Sequence, residues 1–317
     1  MSTENQEQKK TASSAQDIQN PQDTSKFGSR LLVDDEQVFA HNAWDHVEWD
    51  SDQEKQAKEK VAKQAENPVS DELKEKYDAE AANFWDKFYA KNENKFFKDR
   101  HWLKIEFPEL FSSEESYKER FNVMEIGCGA GNTMFPLLAE NKDPNLFVYG
   151  CDFSSVAVDV VKVNISPQRR IGRSKAFVWD LTDTNLPECV EPGSIDVIVL
   201  VFVVSAINPK CWNQVVTNLN KLLKPGGRIL FRDYGRYDLA QLRFKGGRYL
   251  DENFYVRGDG TQVYFFTSEE IQSLFGEKFT IEQNAVDRRL IVNRHRKLKM
   301  YRVWLQGKFI KPSQADS

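Results

Sequence analysis

Three scarcities narrow the reading of this 317-residue chain before any motif is sought. Long apolar runs are missing. The longest, Ile195 to Ile207 with interruptions such as Ser205, is shorter than the ~20 residues a membrane helix needs, so no membrane partner is expected. Cysteines are few and scattered. Cys128, Cys151, Cys189 and Cys211 form no CxxC pair and no ligand spacing, which argues against disulfides and zinc, and no metal is expected. Glycine is almost missing from the front of the chain, where Gly28 alone precedes Gly127. The front section therefore lacks the turns of a sheet protein and reads as a helical cap. Met1 to Gln8 are acidic and polar, unlike a signal or mitochondrial transit peptide. Residence in the cytoplasm is the expectation, with the nucleus left open.

Apolar residues at 40% suffice for a core, while a mean hydropathy of −0.61 leaves much charged surface. Residues 1–26 are rich in Gln, Ser, Thr, Asn and charge and are expected to be a disordered tail. Residues 27–120 form an N-terminal extension and helical cap. Its first part carries Phe27, Leu31, Leu32, Phe39, Trp44 and Trp49, too aromatic for a linker, so it either docks on the domain or folds on a partner. Helices are predicted at 51–66 and 70–91, the second with Tyr77, Ala81, Phe84, Trp85, Phe88 and Tyr89 on one stripe. A net charge of −4 does not by itself suggest a nucleic-acid partner. The distribution does. Arg288, Arg289, Arg294, Arg296, Lys297, Lys299, Arg302 and Lys308 fall within one stretch that holds no carboxylate. Together with Arg243 and Lys245 they are candidate RNA contacts, the bland alternative being a charged strand edge exposed to solvent.

From Phe121 the chain alternates. Strands are expected at 121–126, 146–151, 175–179, 195–203 and 228–233, with helices at 132–140, 154–163 and 209–223. Alternation of this kind predicts an α/β fold with a mostly parallel sheet and helices on both faces. Met124-Glu125-Ile126-Gly127-Cys128-Gly129-Ala130-Gly131-Asn132-Thr133 joins a strand to a helix through three glycines. The spacing is GxGxG rather than the GxGxxG of dinucleotide sites, and Glu125 would repel a phosphate. A nucleoside cofactor without phosphate fits better, and S-adenosylmethionine is one.

Ligands in open α/β sheets bind at the carboxyl ends of the strands, which selects the next candidates. Asp152 can accept from both ribose hydroxyls, the alternative being a helix N-cap. Asp180 can accept from an adenine amine with Leu181 flanking the ring, the alternative being a turn aspartate. Arg232-Asp233-Tyr234-Gly235-Arg236-Tyr237-Asp238 ends the last parallel strand, where a methyl acceptor would lie. A long aromatic segment at about 235–266 follows as an inserted lid in a catalytic domain spanning 121–312.

These segments, with Phe96-Phe97-Lys98-Asp99-Arg100-His101-Trp102 and Asn253-Phe254-Tyr255-Val256-Arg257, resemble the METTL-type tRNA N3-methylcytidine methyltransferases over roughly residues 27–312. Phe39-Ala40-His41-Asn42-Ala43-Trp44-Asp45 and Val286-Asp287-Arg288-Arg289-Leu290 resemble the threonine-tRNA branch. The resemblance implies a class I, Rossmann-like, seven-stranded S-adenosylmethionine-dependent methyltransferase acting on N3 of cytidine 32 in the anticodon loop. The products would be methylated tRNA and S-adenosylhomocysteine. tRNA-Thr is the favoured substrate, tRNA-Ser a second, and an aminoacyl-tRNA synthetase a candidate auxiliary protein. Cofactor contacts carry over onto Trp85, Tyr89, Gly127, Asp152, Asp180, Leu181 and Val201, with Gly129 in the same loop. Without the resemblance Trp85 and Tyr89 read as core. Asp233 is the expected catalytic carboxylate, Arg100 a holder of phosphate or of the cofactor carboxylate, and Tyr234 a support for the base plane. Rival readings are a class I enzyme acting on another RNA, a protein or a small molecule, and a non-catalytic RNA-binding subunit.

Overall fold

In chain order the elements are β1 (Ala43–Asp45), α1 (Ser51–Ala65), α2 (Asp71–Ala79), α3 (Ala81–Asn92) and α4 (Leu103–Glu106). The alternating part follows with β2 (Phe121–Ile126), α5 (Met134–Glu140), β3 (Leu146–Asp152), α6 (Ser155–Asn164), β4 (Ser174–Val178), β5 (Ile195–Val201), α7 (Trp212–Leu222) and β6 (Leu223–Tyr234). Then come α8 (Leu239–Leu242), β7 (Tyr249–Asp251), β8 (Phe254–Val256), β9 (Gln262–Tyr264), α9 (Ser268–Gly276), β10 (Thr280–Asn293) and β11 (Leu298–Ile310). The computed structural model describes residues 28, 30–111, 119–164 and 172–313, so the tail expected at 1–26 lies outside the described residues.

Strands β4, β3, β2, β5 and β6 run parallel in that order, and β11, β10 and β1 continue the sheet antiparallel. Alternation along the central strands sends each side chain to one of two cores. Val197, Val199 and Val201 of β5 pack with Val123, Leu137 and Val161 under α4, α5 and α6. Ile198 and Leu200 pack on the other face with Val215, Leu219, Leu222, Ile271 and Phe275 of α7 and α9. Residues of β5 buried on both faces explain the nearly continuous apolar run that the sequence shows there.

The sheet has eight strands among the described residues, not the seven expected. The additional strand is β1, from the aromatic front segment. Ala43, Trp44 and Asp45 pair with Ile291, Leu290 and Arg289, and the Trp44 indole donates to the Val38 carbonyl (2.8 Å). Val38 and Trp44 are buried with Leu290 and Val292, so this segment docks on the domain and covers the edge of β10. The helix expected over 70–91 is two helices, broken at Glu80, whose backbone (φ −103°, ψ 17°) leaves the helical region. The helix expected over 209–223 starts at Trp212, after a 3-10 turn at Pro209–Cys211. The sixth strand is longer than expected because Leu223 already pairs with Ile195, with Lys224–Gly227 bulging out before pairing resumes at Arg228.

The β10–β11 hairpin was anticipated only through the alternative reading of the basic stretch, a charged strand edge. Its buried positions include Asp287 and Gln306, which join Arg232 in a polar network, so the alternation of apolar residues that announces a strand is interrupted. Segment 235–266 holds α8 and a separate three-stranded sheet, β7-β8-β9. It is tied to the front helices through Gln64, whose amide donates to the carbonyls of Gln241 and Phe244 (both 3.0 Å), and through Val69 N–H to the Tyr249 carbonyl (2.8 Å).

Candidate active site

All five parallel strands end at one sheet edge, and a cavity of about 490 Å3 opens there, within the range typical of small-molecule sites. Gly127, Gly129, Asp152, Asp180, Leu181 and Val201 line it from the strand ends, Trp85 and Tyr89 from α3, and Arg100 from the loop before α4. The eight candidate cofactor contacts thus meet in one place.

The glycine loop owes its residues to backbone geometry. Gly127 and Gly129 have φ of +64° and +51°, the left-handed region that side chains disfavour. A Cβ at Gly129 would also stand 2.3 Å from the Tyr89 hydroxyl, and one at Gly127 would stand 2.6 Å from Val203. Gly129→Ala is therefore expected to displace Tyr89 and weaken S-adenosylmethionine binding at least tenfold, as read by calorimetry. Unchanged affinity would show that the loop tolerates a side chain.

Glu125 does not face the cavity. Its carboxylate is 2% exposed and accepts from Arg100 Nη1 (3.2 Å) and from the Met134 N–H that begins α5 (2.9 Å). It supplies, from inside the protein, the acceptor that a phosphate provides at other helix starts. Burial pushes Glu125 up from the usual carboxylate range and Arg100 down, and their mutual attraction opposes both shifts. Arg100 also donates to Thr133 Oγ1 (2.7 Å) and the Val201 carbonyl (3.4 Å), so its guanidinium is held at the cavity wall. Asn132 fastens the 96–102 segment to the glycine loop, donating to the Phe97 carbonyl (3.3 Å) and Asp99 (3.1 Å).

Asp152 is buried at the end of β3, its two oxygens accepting from the N–H groups of Gly129 and Ser154 (both 2.9 Å). A carboxylate has about four acceptor positions, so two remain for a ribose diol. Burial lifts its pKa to about 6. On α3, Asp86 accepts from Ser154 Oγ (2.6 Å) and Val156 N–H (3.3 Å), fastening that helix to the start of α6. Trp85 and Tyr89 then stack on one another (5.9 Å, 27°) at the cavity wall. Asp180 engages Thr182 N–H and hydroxyl through Oδ1 alone (both 2.8 Å), which leaves Oδ2 for an exocyclic amine.

Five expected positions are corrected. Asp233 is 0% exposed and is not among the residues lining the cavity. Alternation along β6 puts it on the same face as Phe231, toward the 3-10 turn Val204–Ala206, where it accepts from Ser205 N–H (3.0 Å) and Tyr234 N–H (2.9 Å). It is a brace between β5 and β6 rather than a carboxylate aimed at substrate, and burial raises its pKa to about 6. Tyr234 stands behind the cavity, its ring 4.8 Å from that of Phe202. Arg289, expected on RNA, is half-buried in ion pairs with Asp287 (3.0 Å), Asp45 (3.5 Å) and Glu106 (3.5 Å). Arg302 and Lys308 are likewise paired, with Asp238 and Glu109. Arg243, Lys245, Arg288, Arg294, Arg296, Lys297 and Lys299 are exposed, the last four in or beside the β10–β11 turn.

Sequence reasoning missed Phe97, Asn132, Thr182, Phe202, Asn208 and Gln262, all on the cavity wall. Asn132 and Thr182 stand next to residues already singled out. Phe202 is hidden in an apolar run, and Gln262 carries no local signal. Among the described residues no cluster of His, Cys, Asp or Glu could hold a metal, and no helix is long and apolar enough to cross a membrane.

The model of a methyltransferase domain matches residues 124–229. The tRNA N(3)-cytidine methyltransferase METTL2 of Xenopus tropicalis is 49% identical, the match covering 92% of this chain and 96% of that protein. The tRNA N(3)-methylcytidine methyltransferase trm140 of Schizosaccharomyces pombe is 49% identical over 97% of this chain and 98% of its own. The tRNA(Thr) (cytosine(32)-N(3))-methyltransferase of Saccharomyces cerevisiae is 50% identical over 90% of this chain, which spans 46% of that longer protein. Among solved structures, a chain from the complex of the Haloferax volcanii Trm112 methyltransferase activator with a methyltransferase superposes with a TM-score of 0.50. It is 14% identical, with 74% of this chain and 98% of that chain covered, a likeness of fold alone. Half of the residues are shared with complete relatives almost from end to end, and the shared length takes in the front helices, glycine loop, strand-end carboxylates and hairpin. The chain belongs to the tRNA N(3)-cytidine methyltransferase family, on the class I S-adenosylmethionine-dependent fold.

Proposed function

We propose that this chain transfers the methyl group of S-adenosylmethionine to N3 of cytidine 32 in the anticodon loop of tRNA-Thr. The observation that carries the reading is the 50% identity to a relative named for that nucleotide and that tRNA. The cavity supports it with a cradle suited to an adenosine cofactor. The cradle consists of glycines at positive φ, a buried carboxylate for a diol, a second for an amine, and apolar walls from Leu181 and Val201.

When bound, S-adenosylmethionine supplies an electrophilic methyl, which the in-plane lone pair of N3 takes while the C–S electron pair stays on sulfur. No proton has to leave the base first, so the protein's work is alignment and exclusion of water. Asp152 and Asp180 orient the nucleoside from two strand ends, and Arg100 offers its guanidinium to a carboxylate at the glycine-loop end. A loop cytidine reaches such a cavity without breaking a duplex, sparing the few kcal/mol of extrusion. The exposed cations Arg243, Lys245, Arg288, Arg294, Arg296, Lys297 and Lys299 lie on the surface that would meet phosphates.

Transcripts of tRNA-Thr and tRNA-Ser, and versions with uridine at position 32, test the reading. Label from S-adenosylmethionine should appear as 3-methylcytidine in the first, disappear with uridine, and be weaker in tRNA-Ser. No transfer to tRNA-Thr, with or without its aminoacyl-tRNA synthetase, would refute the substrate assignment. The affinity for tRNA should fall steeply with salt, by a log–log slope of about 0.7–0.9 per phosphate contact. Replacing Arg294, Arg296, Lys297 and Lys299 together by alanine should flatten that slope while leaving the rate at saturating tRNA intact. A slope unaffected by the quadruple change would remove the hairpin turn from the RNA surface.

A further inference from the structure

Gln262 opens β9, is 3% exposed and lines the cavity, yet its side-chain amide has no hydrogen-bond partner among the described residues. That amide is not sealed in the core: it opens into the cavity, where a ligand that enters can pair with it. Its backbone is well anchored. Gln262 pairs with Val256 across β8 and β9, and its carbonyl accepts from Arg257 Nη1 (3.1 Å).

The same Arg257 guanidinium lies over the Tyr234 ring (5.7 Å), and Tyr234 packs on Phe202. Phe202 lines the cavity just beyond the end of β5, with φ of +61° and its N–H held by the Arg232 carbonyl (2.8 Å). A bulky residue with positive φ is a backbone outlier, and such outliers cluster at functional sites. One aromatic ring, backed by a second, and one unpaired amide therefore line the same cavity, with β9 packed against the turn Val204–Ala206 that follows β5. The carboxylates suited to the adenosine belong to the ends of β3 and β4, on the other side of the glycine loop.

We propose that Gln262 reads the Watson–Crick edge of the acceptor base, its amide oxygen accepting from the exocyclic amine of a cytosine whose ring lies against Phe202. This rests on the methyl-transfer reading above and assigns the role that the buried Asp233 cannot fill. Methylation at N3 makes the base cationic and its amine a stronger donor. An acceptor at that amine is accordingly worth more in the transition state than in the ground state and acts on kcat more than on KM.

Gln262→Leu, which keeps the volume and removes the acceptor, is expected to lower kcat on tRNA-Thr transcript roughly 10- to 100-fold. Dissociation constants for S-adenosylmethionine and tRNA should stay within about twofold of the parent. Gln262→Glu restores a stronger acceptor and should recover the rate, with a new ionisation in the acid limb of the kcat–pH profile. Thermal melting of both variants checks that the fold is kept, and a Gln262→Asn variant provides a second probe should the leucine variant fold poorly. An unchanged kcat in the leucine or asparagine variant would overturn the proposal, as would a loss confined to S-adenosylmethionine affinity, which would put Gln262 on the cofactor. A parent protein that binds S-adenosylmethionine but methylates no cytidine would overturn the methyl-transfer reading itself, and this role with it.

Discussion

Replacing Asp152 by alanine should abolish measurable methyl transfer and raise the dissociation constant for S-adenosylmethionine by two orders of magnitude or more. Hydrogen bonds to a charged group contribute about 1.5–3 kcal/mol each, and a ribose diol makes two. Their loss amounts to roughly 3–6 kcal/mol, or about 10²- to 10⁴-fold in affinity at 1.4 kcal/mol per decade. The Gly129 and Ser154 N–H groups lose their acceptor as well, so the glycine loop would loosen with the site.

The same carboxylate sets a pH dependence. Burial raises its pKa to about 6 from the ordinary 3.8, so between those values the folded chain holds more protons than the unfolded one. The contribution of Asp152 to folding stability therefore falls as pH rises through that window, because the charge is buried. Cofactor affinity runs the other way. The ionised carboxylate is the better diol acceptor, and binding should strengthen as pH rises through about 6 and level off above it. Calorimetric titration between about pH 5 and 8 checks the sign for binding, thermal melting between about pH 4 and 6 checks the sign for stability, and Asp152→Asn should flatten both profiles. An unaltered profile in that variant would assign the titration to another group.

The Arg100–Glu125 pair should show the second large effect, on stability. Glu125 is 2% exposed and the Arg100 side chain 14%, so removing one partner strands the other away from water. Breaking a buried pair from one side costs about 3–5 kcal/mol, and Arg100→Met should lose that much in urea denaturation. Glu125→Gln together with Arg100→Met should recover much of the loss, since the amide oxygen still accepts from Met134 N–H while the stranded charge is gone. Activity should not return with it, because the guanidinium at the cavity wall is missing. A single Arg100→Met variant within about 1 kcal/mol of the parent would mean that water reaches Glu125 readily.

Much of the cavity wall was legible in the residues because it is local. Gly127 and Gly129 are demanded by φ within their own loop, and Asp152 and Asp180 follow from where two apolar strands stop. Asp233 shows where such reasoning ends. Its place at a strand terminus was correctly read, but its neighbour Ser205 comes from a turn 28 residues earlier, and that turn takes both the space and the hydrogen bonds. β1 escaped notice because three residues carry too little pattern, and its pairing partners lie about 250 residues away. Arg289 looked like a phosphate contact for the same reason. Its carboxylates Asp45 and Glu106 come from the front of the chain.

By itself, then, the sequence determined the order of the parallel strands and the helices between them, the glycine turn and the strand-end carboxylates that suit an adenosine cofactor. Each depends on backbone preferences and side-chain periodicity over a few residues. Only the tertiary structure decided which charges face solvent, which carboxylate braces the sheet, and which unpaired amide meets the cavity. Burial and ion pairing are properties of neighbours in space, and here those neighbours are supplied by segments far apart along the chain.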